Sequence, residues 1–359
     1  MTSYQKFIKY YPLILFWIGG IPQVHGQPDS FPNDLFRSEE LITITLRGEM
    51  RKLLNDRSGE PTYFPLELSF ADANQGTVEI PVKVRTRGHF RRLRENCTYP
   101  PLLINFKKGG PQENTIFARQ DKLKLIMPCR DDKLVIQEFL AYKIYNLITP
   151  YSFRARLVNV TLQPTDKKKE SSFYGVLLEE EKQMAARNQM ISIEKDLRPQ
   201  MVQRDYFLPM AMFEYLIGNT DWSVNYLQNI KLIAQDSNSV PIAVPYDFDH
   251  SGMVNAPYAH PAPELKLASI RDRRYRGYCI PLMEAYAPVI KRFESLKPSI
   301  YAIYQDSPLL DDAARKSALR FLDDFYAILQ HPEQLEKDLM YPCDPKGTGN
   351  VIIRGLREN

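Results

Sequence analysis

GNTDWSVNYLQNIKLI (218–233) runs through a short polar turn into PIAVPYDFDHSG (241–252), and these two stretches decide how the chain is read. IKLI and IAVP are brief apolar runs bounded by Asn, Asp, Ser and Pro, which predicts a β-hairpin. One Asp and two candidate Asn residues precede the first strand, and Asp-Phe-Asp follows the second. Phosphoryl transfer needs oxygen ligands for a divalent cation and a carboxylate to orient or deprotonate the acceptor hydroxyl. Two acidic clusters at the end of one hairpin supply both. Asp221 is the candidate for the hydroxyl; Asp247 and Asp249, with Asn225 or Asn229, are the candidates for the metal. Asn225 stands four residues after Asp221, and Asn229 stands eight after it, directly before the strand. The spacing leaves both open. Either cluster alone is also explained as a cap or a solvated turn; their order and strand context together favour a site.

Working outward, the first half reads as strands. LITITL (41–46), YFPLELSF (63–70), VKVRTR (82–87), PLLINF (101–106) and LKLIM (123–127) carry apolar or alternating patterns. Leu134–Ile148 predicts a helix led by Asp131 and Asp132, whose charges suit its N-terminus. Arg154–Leu162 and Phe173–Leu178 predict a hairpin. The second half is helical around the central hairpin. Helices are expected at Asp205–Ile217 and in three amphipathic segments after Leu282, with breaks at Pro298 and Pro308. The pattern is α+β, with a β-rich N-lobe (27–182), a helical C-lobe (183–359) and a cleft between them.

The 359 residues are 44% hydrophobic and 25% charged, ordinary for a folded globular chain. A net charge of +4, spread along the sequence, gives no footprint for nucleic acid. Lys6 and Lys9, then the apolar stretch Tyr10–Ile21, read as a leader cut near Gly26, so residues 1–26 are expected to be a signal peptide. That stretch is too short for a comfortable membrane span. An exported chain, periplasmic or secreted, is the expectation. Its four cysteines can then form two bridges. Of three pairings, Cys97–Cys129 and Cys279–Cys343 are favoured; free buried cysteines are the alternative.

A phosphate-holding Lys is expected on a first-half strand, paired with a Glu on the next helix. Lys124 with Glu138 fits, and Lys122 and Lys107 compete with Lys124. Lys83, Arg85 and Arg87 form a basic face that either approaches phosphates or protects an edge strand. Glu179 opens an acidic run where the halves join, either solvated or beside the base of a nucleotide. The run from Arg271 to Arg276 could hold an acidic substrate or nearby carboxylates.

These pieces resemble the spore-coat CotH kinases, an atypical secreted branch of the protein-kinase-like fold. VRTRG (84–88) resembles the family's Arg-x-Arg-Gly, RDDKLVIQEFLAYKIYN (130–146) its helix start, and FYGVLLEEE (173–181) its strand ending in Glu. GNTDWSVNYLQN and VPYDFDHSG resemble the two specific motifs. The likeness covers about residues 80–255. It departs where His89-Phe90-Arg91-Arg92 replaces Ser-Ser-Arg and where the paired Asn is spread over Asn225 and Asn229. The resemblance implies a two-lobed kinase-like fold, ATP with Mg²⁺ or Mn²⁺, a protein hydroxyl as acceptor, Asp221 as the catalytic Asp and Asp247 as metal ligand. A non-catalytic binding or envelope-structural module and a metal-dependent hydrolase are the alternatives.

Overall fold

The computed structural model describes residues 35–72, 75–166 and 169–348. The expected leader at 1–26 lies outside the described residues. Chain order runs β1 (Ile42–Gly48), α1 (Met50–Asn55), β2 (Phe64–Asp72), β3 (Gly76–Thr86), β4 (Leu102–Phe106), β5 (Lys122–Ile126), α2 (Asp132–Ile148), β6 (Ala155–Pro164) and β7 (Ser171–Leu178). It continues with α3 (Glu181–Arg187), β8 (Ile191–Ile193), α4 (Arg204–Ile217), β9 (Ile230–Ala234), β10 (Ile242–Pro245), α5 (Ala287–Gln305), α6 (Asp312–Leu329) and α7 (Pro332–Leu339).

Period-two patterning explains the first seven strands. In β3, Ile80, Val82, Val84 and Thr86 are buried, while Lys83 is exposed and Arg85 half-buried. The strands join in the order β1-β2-β3-β4-β5-β7-β6, and β1 pairs in parallel with β6, Ile42 opposite Val158, to close a barrel. Its interior is a packed apolar core that includes Leu68, Ile80, Ile104, Leu125 and Val160. Outside, α2 lies against β6 and β7, so Leu157 and Val176 are buried in a second core shared with the helices. Only Ala155–Val158 of β6 and Gly175–Leu178 of β7 are buried on both faces; beyond them both strands become half-exposed.

The expected two-lobed protein-kinase-like fold is therefore overturned. Among the described residues, a closed seven-stranded barrel with seven α-helices makes a mixed α+β fold, not a two-lobed kinase. The pairing responsible joins strands far apart in sequence, and periodicity carries no record of partners.

The central hairpin forms as read, with Ile242 opposite Ile233, and β8 adds a third strand. One helix boundary is corrected: α5 runs through Pro298. The missing N–H frees a carbonyl one turn back at Glu294, and both residues are exposed, so water can replace that bond. Phe293, Ile300 and Tyr304 anchor the helix on either side.

Both favoured disulfides are present, Cys97–Cys129 and Cys279–Cys343, spanning 32 and 64 residues. They fit an oxidising compartment. Among the described residues no helix is long and apolar enough to cross a membrane.

Candidate functional site

Helix α4 ends at Gly218 in the left-handed region, φ 65°. A Cβ there would lie 2.9 Å from the Phe321 ring, so glycine is required twice over. The chain then turns sharply: the Asp221 amide donates to Asn219 Oδ1 at 3.0 Å. After the turn, Asn229 Nδ2 donates to the Asp221 carbonyl at 2.8 Å and to its carboxylate at 3.0 Å. Gln228 Nε2 reaches the other carboxylate oxygen at 3.4 Å. Leu227 (φ 49°) and Asn229 (φ 51°) both adopt left-handed backbone. Asn accepts that conformation readily, and it is what folds the amide back onto Asp221.

The hairpin carries the chain to the second cluster. The Tyr246 amide donates to the Asn229 carbonyl at 3.0 Å, extending the β9–β10 ladder. Asp247 is left-handed, φ 67°, and its amide donates to the Tyr142 hydroxyl of α2 at 2.9 Å. Phe248 packs between Tyr142 and Phe213. The chain then returns to α4: Gly252 donates to the Gly218 carbonyl and Met253 to that of Ile217. The two acidic turns are thus bonded to each other.

Between them lies a cavity of about 310 Å³ lined by Asp221, Gln228, Asn229, Asp247, Asp249 and His250 on this side. Arg87, Gly88, Phe90 and Arg91 line the other. Asn225 does not line it. Of the two Asn candidates, only Asn229 reaches the cavity.

Arg91 was not expected. It sits in a single turn of 3-10 helix (Phe90–Arg92), buried, with Nη1 3.4 Å from Glu138 and 3.5 Å from Asp249. Its Nη2 donates to the Met127 carbonyl at 2.5 Å, and the Tyr258 hydroxyl donates to Asp249 at 3.0 Å. Burial opposes the guanidinium's charge, but Tyr258, Asp249, Glu138 and Asp247 outweigh it and hold its pKa above the ordinary value. One guanidinium cannot neutralise two buried acids. Burial therefore still pushes Glu138 well up. Burial and then neighbouring Asp249 also raise Asp247, against Arg91, Arg87 and His250. Nothing in HFRRLR (89–94) distinguishes Arg91 from its neighbours, because its role comes from contacts distant in sequence.

Glu138 thus pairs with Arg91 and not with Lys124. Lys124 does not line the cavity; its Nζ lies 4.8 Å from the centre of the ring of Tyr246, which does. Burial, then Arg87 and Lys231, lower its pKa to about 7, against Asp247 and Glu181. A depressed amine pKa means that the fold favours the neutral form. That contribution is complete above the ordinary Lys value and is lost as pH falls through about 7. Lys124→Met should therefore gain stability over the wild type in acid and lose that advantage toward pH 10. Urea denaturation across this range checks it; a pH-independent difference would count against the desolvated amine.

Glu179 is fixed elsewhere. It accepts from Arg187 Nε at 2.9 Å and Nη2 at 3.0 Å and from the Arg154 amide at 2.9 Å, bracing β7 against α3, and it does not line the cavity. The 271–276 run serves backbone and rings. Arg273 stacks on Phe321 at 3.6 Å and donates to the Leu216 carbonyl, capping α4. Arg276 donates to the carbonyls of Thr220 and Trp222, on either side of Asp221. Burial lowers its pKa to about 10, and Asp221 opposes that shift.

Among the described residues no group of three His, Cys, Asp or Glu side chains is gathered for a metal. Mg²⁺ commonly takes one or two carboxylates and completes its shell with substrate phosphates and water. Asp247 fits that role, since it is half-buried beside a like charge that a cation would offset. Asn229 fits as well: its amide nitrogen is committed to Asp221, which leaves Oδ1 as the ligand atom. Asp249 is occupied by Arg91 and Tyr258. No protein-family model and no curated protein matches the chain.

Proposed function

We propose that the chain is a phosphotransferase that moves the γ-phosphoryl group of ATP to a hydroxyl carried by a protein, as the resemblance over residues 80–255 to CotH kinases implies. The observation that supports this reading is the meeting of Asp221, Asn229 and Asp247 in one cavity faced by Arg87. ATP would bring the transferable group, and Mg²⁺ or Mn²⁺ would draw charge from its oxygens.

In this reading Asp221 receives the acceptor's proton. The bonds from Asn229 and Gln228 hold its carboxylate, so little reorganisation accompanies transfer. Asp247 and the Asn229 side-chain Oδ1 would hold the divalent ion. Arg87 would meet phosphate oxygens across the cavity, while Lys124, behind Tyr246, is held toward its neutral form. Arg91 holds Asp249 and Glu138 in place and leaves Asp247 as the carboxylate available to the ion. The two disulfides and the expected leader support action outside the cytoplasm.

Incubation of the purified chain with γ-labelled ATP, Mn²⁺ and a mixture of protein acceptors tests the reading. Label should enter protein only with the divalent ion, and Asp221→Ala should abolish its entry. Absence of nucleotide binding by calorimetry, or equal labelling by the variant, would overturn it.

A further inference from the structure

Strand β3 carries Lys83 and Arg85 on its outer face, with Arg87 just past its end; β5 carries Lys122 and Lys124 on the same side of the barrel. The register sets them in rows. Lys83 faces Asn105, which faces Lys122; Arg85 faces Leu103, which faces Lys124. Two basic columns therefore flank the outer residues of β4, about 10 Å apart across two strand spacings, with side chains about 7 Å apart along each. The Arg87 end opens on the cavity.

Alternating charge on a strand is commonly protection of a free edge. Here that explanation fails, because β3 is bonded to β2 and β4 and β5 to β4 and β7. Burial turns Lys124 toward its neutral form, which leaves Lys83, Arg85, Arg87 and Lys122 as the charged residues of this face. None of the five makes an ion pair among the described residues. Arg85 rests on Tyr63 at 5.1 Å, with its buried Nε lacking a hydrogen-bond partner. The residues between the columns, Leu103 and Asn105, bring no negative charge.

We propose that this face docks an extended, acidic segment of the protein acceptor, whose hydroxyl residue enters the cavity beyond Arg87. The inference rests on the phosphotransferase reading for the fate of that hydroxyl. An extended chain repeats its same-side side chains every 7 Å or so, matching the β3 column, with the exposed Lys122 one strand's width beyond. Four cations on so short a face are too few to track a nucleic-acid backbone, which takes many phosphate contacts. A membrane surface would want exposed apolar residues to insert, and Leu103 is half-buried.

The test is fluorescence anisotropy with the full chain and a labelled peptide that alternates Glu around one Ser. A Gln-for-Glu version, single-stranded DNA and phosphatidylserine vesicles serve as competitors. The acidic peptide should bind roughly tenfold or more tightly than the Gln version, and salt should weaken it. Lys83→Glu with Lys122→Glu, both exposed and outside the cavity, should remove that preference while leaving acceptor-independent ATP hydrolysis unchanged. Equal binding of the two peptides, indifference to the charge reversal, or tighter binding of DNA or vesicles would overturn the proposal. Label transfer separates the two readings. Preferential binding with no transfer under any condition sinks the phosphotransferase and leaves the docking face. Transfer with the same KM for both peptides sinks the docking face alone.

Discussion

Arg91→Met should cost the fold about 3–5 kcal/mol in chemical denaturation, more than any surface substitution. The guanidinium touches Glu138 and Asp249, both buried, and its removal leaves two acids facing each other without a counter-charge. Met fills most of the volume, so the loss is electrostatic and not a cavity effect. Adding Glu138→Gln should return part of the stability, because one of the stranded charges is then gone. A loss below about 1 kcal/mol in the single variant, or no recovery in the double, would show that Arg91 is not the keystone of this cluster.

Asp247→Asn should do the opposite to the two quantities. Phosphoryl transfer should fall about a thousandfold, the scale of several kcal/mol of charge stabilisation at the transferring group. Stability should hold or rise, since a neutral amide replaces a carboxylate whose ionisation burial and Asp249 both oppose. Asp249→Asn is the counterpart. It should lose stability, because Arg91 and Tyr258 are its partners. Labelled-ATP turnover and urea midpoints of both variants decide the matter. Transfer by Asp247→Asn within a few-fold of the wild type would remove Asp247 as metal ligand.

The parts of the site legible in sequence were those encoded locally. The hairpin, its Asn, Asp and Pro boundaries, and the return from Asp247 to Gly252 all follow from neighbouring residues, and the side chains of that stretch meet in one cavity. The choice between Asn225 and Asn229 was not legible. It turns on left-handed backbone at Leu227 and Asn229, which spacing does not reveal. The partner of Glu138 was hidden for another reason. The expected strand lysine and helix glutamate are both present, but the turn after β3 sets Arg91 against Glu138 of α2 instead. Strand existence was read from alternation; closure was not, because Ile42 meets Val158 only in three dimensions. The basic face of β3 was ambiguous for the same reason, since whether a strand is an edge is a property of the sheet.

That closure also fixes an order of events during synthesis. β1 waits for a partner more than a hundred residues downstream, so a nascent chain that has emerged only through β5 displays one open border along ITITLRG and another along KLKLI. Pairings of such long range form late and slowly, and open borders invite neighbouring chains. Protease attack on the β1 and β5 borders should therefore persist until β6 and β7 have arrived, so ribosome-stalled chains ending before and after residue 178 should differ sharply in cleavage there.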